Sequence, residues 1–132
     1  SEPTAEFLAE LYDIKHLEGQ GFRYKHVGIF GSSAANLGMF HISENQIARN
    51  LEAGHDQIKY LSKKIMATHV HPNGSMVAEN FFQGSDAVRE AITKFKPDIL
   101  ICGHIHEAEG VEEIIEGTRV INVSKNGRIL KL

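Results

Sequence analysis

The sequence has little of the chemistry that marks secreted or membrane-spanning chains. Among its 132 residues there is a single cysteine, Cys102, so no internal disulfide is possible. No uninterrupted apolar run comes close to the roughly 18 residues that a membrane-spanning helix needs. The first residues, Ser1 to Thr4, lack the basic and apolar segments of a secretory signal. We therefore expect a protein of a reducing compartment, the cytoplasm, with no membrane partner.

A strong charge of one sign is also missing. The 14 Lys and Arg residues and the 17 Asp and Glu residues are spread along the chain and give a net charge of −3. This balance predicts no dedicated nucleic-acid surface. Apolar residues make up 42% and charged residues 23% of the chain, proportions that are typical of globular proteins. Because no linker or repeat interrupts it, we expect 1–132 to form a single domain.

The middle of the chain has the pattern of a strand–helix–strand unit. Two short, continuously apolar segments predict strands over 64–69 and 98–103. Between them, Ser85 can cap a helix that Pro97 ends. Continuously apolar strands are typical of parallel sheets that are buried on both faces. The sequence therefore predicts an α/β fold built on this βαβ unit.

The flanking segments complete the prediction. Before the unit, the pattern predicts a helix over 2–12, a strand over 22–30 and a loop over 31–38. A second helix is predicted to begin at Ser43, and Gly54 could interrupt it. After the unit, turns at Glu116–Gly117 and Asn126–Gly127 predict a C-terminal antiparallel meander.

The chain is rich in histidine, with eight residues. His69 follows the first strand of the βαβ unit, and His104 and His106 follow the second. Because the carboxyl ends of parallel strands meet at one edge of a sheet, we expect these three imidazoles to converge there. Neutral imidazole binds zinc, iron, manganese and nickel, so the sequence predicts a metal site. Gly103 would let the backbone come close to the metal.

The other candidate residues have simpler interpretations. His71 lies in the loop beside His69, where it either supports the ligands or is simply exposed. Cys102, inside an apolar strand, is expected to be a small core residue. The acidic run from Glu107 to Glu116 is expected on the solvated face of a hairpin. The histidines that share no pattern are expected to be ordinary polar residues: His16, His26, His41 and His55.

Two motifs, in this order along the chain, resemble those of the calcineurin-like metallophosphoesterases. Residues 103–107, Gly-His-Ile-His-Glu, look like the last metal-binding motif of that superfamily. Residues 68–74 look like its preceding Thr-His-x-Pro-Pro motif, with His71 in place of the first proline. The helical segment over 84–97 and the strand over 120–122 are similar to those of the small bacterial and archaeal members.

The resemblance implies a sandwich-type fold and a phosphoesterase that uses two divalent metal ions. Carried over to this sequence, His69 and His104 would bind one ion and His106 the other. The ions would be manganese, zinc, iron or nickel, and the substrate would be a phosphate mono- or diester. Two neighbouring ions can stabilise both the attacking and the leaving oxygen of a phosphoryl displacement. The residues expected to support the ligands are Thr68, His71 and Gly103.

The earlier metal motifs of the family are missing from this sequence. It contains no Asp-x-His, Gly-Asp or Gly-Asn, so it does not supply the carboxylate that bridges the two ions. We therefore expect 1–132 to be the C-terminal part of a metallophosphoesterase domain, inactive in isolation. Such a chain would associate with itself or with a missing N-terminal half. Two alternatives stay open: a non-catalytic scaffold or interaction module that retains the fold, and a single-metal hydrolase with three histidine ligands.

Overall fold

The computed structural model describes residues 19–32, 43–80, 83–103 and 110–122, which form a mixed α/β fold. Six strands in the described part of the chain build one sheet: β1 (Gly21–Tyr24), β2 (Val27–Ser32), β3 (Lys63–Thr68), β4 (Ile99–Cys102), β5 (Glu112–Ile115) and β6 (Thr118–Asn122). Within these ranges, three helices accompany the sheet: α1 (Glu44–Ile58), α2 (Met76–Asn80) and α3 (Asp86–Phe95).

The sheet has the strand order β1-β2-β3-β4-β6-β5, and its four central strands are parallel. β1 and β5 pair antiparallel with β2 and β6, at the two ends of this order. The predicted βαβ unit is confirmed, because β3 and β4 are parallel neighbours and α3 lies between them in the chain. These strands occupy 63–68 and 99–102, within one residue of the predicted limits.

The two faces of the sheet bury different sets of apolar side chains. On one face, Phe30, Met66 and Leu100 pack against α1 and α3. On the other face, the buried cluster within the described ranges comes from strands alone: Val27, Ile29, Ile65, Ala67, Ile101 and Ile121. Because both faces are apolar, the central strands lack the polar–apolar alternation of a half-exposed sheet.

Both long helices begin where the sequence predicts. At the start of α1, the hydroxyl of Ser43 accepts a hydrogen bond from the amide of Gln46 (3.1 Å). The hydroxyl of Ser85 accepts in the same way from the amide of Val88 in α3 (3.1 Å). Lys96 adopts a left-handed conformation (φ 48°), which ends α3 ahead of the next proline. Local capping chemistry therefore determines the starts of both helices and the end of α3.

Gly54 does not interrupt α1, which continues to Ile58. At Gly54 the helix backbone lies directly against the chain around β1 and β2. A Cβ atom at Gly54 would be 2.8 Å from the carbonyl oxygen of Gln20 and 3.1 Å from Cβ of Phe30. A Cβ atom at Gly28 would be 2.8 Å from Cβ of Ile58. These glycines let the helix and the hairpin approach more closely than side chains would allow.

The predicted single strand over 22–30 is wrong, since the chain reverses within it. Lys25 has a left-handed backbone conformation (φ 56°) and forms the turn between β1 and β2 with His26. Tyr24 therefore pairs directly with Val27. The turn contains none of the glycine or asparagine residues that usually mark a two-residue hairpin loop, so the apolar alternation on both sides suggests one strand.

The predicted C-terminal meander is only partly right. β5 and β6 form the expected hairpin around Glu116–Gly117. β6, however, pairs with β4 in parallel, so it extends the parallel part of the sheet, and of the two hairpin strands β5 alone has no parallel partner among the described residues. Gly31 and Ser32, expected in a loop, belong to β2.

Several predictions lie outside the described residues: the helix over 2–12, the loop from 33 to 38 and the turn at Asn126–Gly127. The assignment of 1–132 to a single domain stays a prediction. Within the described ranges, no helix has both the length and the apolar character needed to cross a membrane.

We predict that Gly54→Ala destabilises the protein. Alanine gains about 1 kcal/mol in helix propensity over glycine. Its methyl group would collide with the Gln20 carbonyl, only 2.8 Å away, and such overpacking costs about 1–3 kcal/mol. Because the clash is with a backbone oxygen, which cannot rotate away, we expect the cost to exceed the gain, and the free energy of unfolding in a denaturant titration should fall by up to about 2 kcal/mol. The reciprocal change at an exposed neighbour, Ala53→Gly, should cost only the propensity, about 1 kcal/mol. A more stable Gly54→Ala variant would contradict the close contact.

Candidate metal centre at the carboxyl edge of the sheet

Four buried polar side chains form one row at the carboxyl ends of the central strands. Ser32, Thr68, Cys102 and Asn122 are the last residues of β2, β3, β4 and β6, and they pair in register across the sheet. Each of them is at most 5% exposed. The apolar strands thus end in polar residues at a single level, at the edge where α/β sheets place their ligand sites.

Hydrogen bonds fix this polar row. The Thr68 hydroxyl donates to the carbonyl of Val70 (2.8 Å) and stabilises the turn after β3. The Cys102 thiol donates to Oδ1 of Asn122 (3.3 Å), whose Nδ2 donates to the carbonyl of Val111 (3.3 Å). Burial raises the pKa of the Cys102 thiol well above its usual range, so the thiol remains a protonated donor. The expectation that Cys102 is a core residue is confirmed by its complete burial.

His69 is the first residue after this row on β3, and its backbone is held from both sides. Its amide donates to the carbonyl of Ser32 (3.2 Å), and its carbonyl accepts from the amide of Gly103 (3.4 Å). The pairing of β2, β3 and β4 thus continues one residue beyond the row. His69 is half-buried, and it lies beside the residue that leads into His104.

The loop that follows β3 is held against the start of α3. The carbonyl of His71 accepts from the amide of Ser85 (2.9 Å), and the carbonyl of Ser85 accepts from the amide of Asn73 (3.0 Å). A Cβ atom on Gly84 would lie 2.6 Å from the carbonyl carbon of Pro72, so the two segments touch through their backbones. His71 is only 1% exposed, which rules out the interpretation that it is an exposed loop residue.

The other two predicted ligands, His104 and His106, lie outside the described residues. Within the described ranges, no three His, Cys, Asp or Glu side chains form a group that could hold a metal ion. Among the described residues, the edge offers the imidazole of His69, a ligand type that transition metals accept, and the carbonyl of His69 accepts a hydrogen bond from the amide of Gly103.

Sequence patterns assign no site role to two residues of this region. Ser85 is recognisable only as a helix cap, yet its backbone also holds the loop after β3. Asn122 ends a strand, and nothing near it in sequence indicates its contact with Cys102, which lies 20 residues away. Both contacts depend on how distant segments pack together.

The remaining described histidines lie elsewhere. His26 is exposed in the β1–β2 turn. The ring of His55 stacks on Phe95 (centroids 4.2 Å apart) and meets Phe30 edge-on (5.4 Å). Its Nε2 atom is buried and has no hydrogen-bond partner among the residues that the structure describes. Burial, followed by the charge of Lys64, lowers the pKa of His55.

A comparison of the chain with protein-family models, curated proteins and solved structures found no match in any of the three. The functional assignment depends instead on the residues of this sheet edge and on the contacts that hold them.

We predict that His55 makes folding less favourable at acidic pH. Its pKa in the folded protein lies below the ordinary value of 6.5, so the unfolded chain binds the proton more tightly. The stability that the neutral imidazole contributes is present above about pH 6.5 and is lost as the pH falls through the folded pKa. Between about pH 7.5 and 5.5, the free energy of unfolding should therefore fall less in His55→Phe than in the wild type.

Chemical denaturation at the two pH values measures this difference. The control is His26→Gln, which changes an exposed histidine and should retain the pH dependence of the wild type. An unchanged pH dependence in His55→Phe would show that this imidazole is not the group responsible.

Proposed function

We propose that this chain is part of a divalent-metal-dependent phosphoesterase and supplies histidine ligands to its metal site. One observation carries the proposal: the carbonyl of His69 accepts a hydrogen bond from the amide of Gly103 across β3 and β4 (3.4 Å). The segment that contains His104 and His106 begins at Gly103. Both histidine motifs therefore leave the sheet from the same edge, on adjacent strands.

The proposed ligand assignment follows the resemblance to the metallophosphoesterases. His69 and His104 bind one ion and His106 binds the other, with manganese, zinc, iron or nickel as the metal. When bound, such ions neutralise the charge that develops on a phosphoryl group during hydrolysis of a phosphate ester. The bridging carboxylate comes from a segment that carries the acidic motifs, which makes that segment a proposed partner of this chain.

The described residues around His69 act by restricting its position. The Ser32 carbonyl and the Gly103 amide hold its backbone, and the Thr68 hydroxyl stabilises the turn immediately after it. A ligand held in this way loses less conformational freedom when the metal binds, which favours binding.

We also propose that the sheet belongs to a metallophosphoesterase-type sandwich. The strand-only cluster, which includes Ile65, Ile101 and Ile121, lies on the face away from the Phe30 cluster that packs on α1 and α3. An apolar sheet face requires a second covering layer, and a sandwich supplies one. The single cysteine, buried as a thiol, supports a reducing compartment, and we propose the cytoplasm.

We predict that His69→Ala weakens the binding of Mn²⁺ or Zn²⁺ by the chain. Loss of one imidazole from a small donor set should lower the affinity by about tenfold or more, since even residues that only support a ligand are worth that much. Isothermal titration calorimetry measures the change. The matched control, His26→Ala, removes an exposed imidazole in the β1–β2 turn and should bind as the wild type does. Equal affinities for His69→Ala and the wild type would overturn the ligand assignment.

We further expect the isolated chain to be inactive toward an aryl phosphodiester in the presence of Mn²⁺. Hydrolysis should appear when the chain is combined with the segment encoded upstream of Ser1, provided that this segment carries Asp-x-His, Gly-Asp and Gly-Asn. His104→Ala should then abolish hydrolysis of the aryl phosphodiester, whereas His41→Ala should leave it largely intact.

Three outcomes contradict this proposal. Hydrolysis by the isolated chain as fast as by the mixture would favour the single-metal hydrolase. An upstream reading frame without the acidic motifs would favour the non-catalytic module. A mixture that associates but stays inactive with every divalent metal would favour the module as well.

A further inference from the structure

Ser85 is the residue at which the loop after β3, the start of α3 and the start of α1 meet. Its side chain is 1% exposed. The hydroxyl accepts from the amide of Val88 (3.1 Å) and donates to Oε1 of Glu44 (2.7 Å). The amide and the carbonyl bind His71 and Asn73 in the loop. Every polar group of this buried serine therefore has a partner, and the partners come from three separate segments.

Glu44 is the first residue of α1, yet its carboxylate lies at the first turn of α3. The same Oε1 atom that accepts from Ser85 also accepts from the amide of Ala87 (2.9 Å). These partners are 41 and 43 residues away in sequence. The amino-terminal turns of both helices favour a negative charge, and hydrogen bonds to a carboxylate are stronger than those between neutral groups. One carboxylate thus joins the starts of both helices.

The loop from 69 to 75 is tied to the body of the protein through the same turn. Besides the two backbone bonds to Ser85, Nδ2 of Asn73 donates to Oδ1 of Asp86 (2.9 Å). Within the loop, the Ser75 hydroxyl donates to the carbonyl of Pro72 (2.8 Å). A shift of the first turn of α3 would therefore move the loop, whose first residue is His69.

We propose that Glu44 is a positioning residue: its carboxylate holds Ser85, and Ser85 holds the loop that begins at His69. The effect on the loop depends only on the contacts above, whereas any effect on metal binding also rests on the proposed function.

Glu44 is itself exposed, but its hydrogen-bond partners distinguish it from an ordinary surface carboxylate. Glu52, on the same helix, forms an exposed ion pair with Lys94 (3.5 Å), and pairs of this kind contribute little. Glu44 instead accepts from a buried hydroxyl and from a helix amide. When its carboxylate is removed, these two donors lose their acceptor. Ser85 and the loop that it binds should then be held less firmly.

The test compares Glu44→Ala, Glu44→Gln and the control Glu52→Gln in the full chain. Amide hydrogen exchange is followed at Asn73 and Ser85, which report opening of the loop. The amides of Met66 and Leu100, in the central strands, report global unfolding. In Glu44→Ala, exchange at Asn73 and Ser85 should accelerate about tenfold or more relative to the strand amides, the size expected for loss of a charge-assisted hydrogen bond. Glu44→Gln, which retains an acceptor oxygen, should lie between Glu44→Ala and the wild type.

The proposal would be overturned if exchange at Asn73 and Ser85 in Glu44→Ala accelerates no more than exchange in the strands. It would also be overturned if Glu52→Gln accelerates exchange at these two amides as much as Glu44→Ala does. Calorimetry with Mn²⁺ separates this result from the proposed function. Faster loop exchange in a chain whose wild type binds no metal would support positioning by Glu44 and contradict the phosphoesterase. Faster exchange together with several-fold weaker Mn²⁺ binding, partly restored in Glu44→Gln, would support both.

Discussion

The parallel pairing of β2, β3, β4 and β6 is the constraint on which the rest of this structure depends. Parallel neighbours cannot be joined by tight turns, so the chain must cross over between them. α1 and α3 occur in two of these crossovers, and both pack on the same face of the sheet. All four strands then end at the same edge. The polar row from Ser32 to Asn122 is the direct result, because it collects residues that are far apart in sequence.

Much of the fold can be predicted from the sequence because its signals are local. The apolar segments Ile65–Ala67 and Ile99–Cys102 are continuous, and Ser43 and Ser85 cap helices through contacts three residues away. The turn at Lys25 could not be predicted, since lysine seldom adopts a positive φ and no glycine marks the reversal. The parallel pairing of β6 with β4 could not be predicted either, because it depends on the whole sheet rather than on the hairpin that contains β6.

In the candidate site, too, some features can be predicted from the sequence and others depend on how distant segments pack. That His69 should lie beside Gly103 follows from a general property of parallel strands, and their backbones are hydrogen-bonded. The roles of Ser85 and Glu44 do not follow from any pattern, because a contact across 41 residues depends on how two helices pack against each other. The proposed ligands can therefore be picked out from the sequence, whereas the contact between Ser85 and Glu44 can be seen only in the folded chain.

The close approach of α1 to the β1–β2 hairpin makes mutational tolerance unequal across the molecule. In the apolar clusters, one side chain can replace another of similar volume when its neighbours repack. Gly28 and Gly54 have no such freedom, since even one added carbon would meet Ile58 or the Gln20 backbone. Gly31 is equally confined against the carbonyl of Ala67. Sequences that keep this architecture can therefore diverge widely in their hydrophobic residues while these three positions stay nearly invariant.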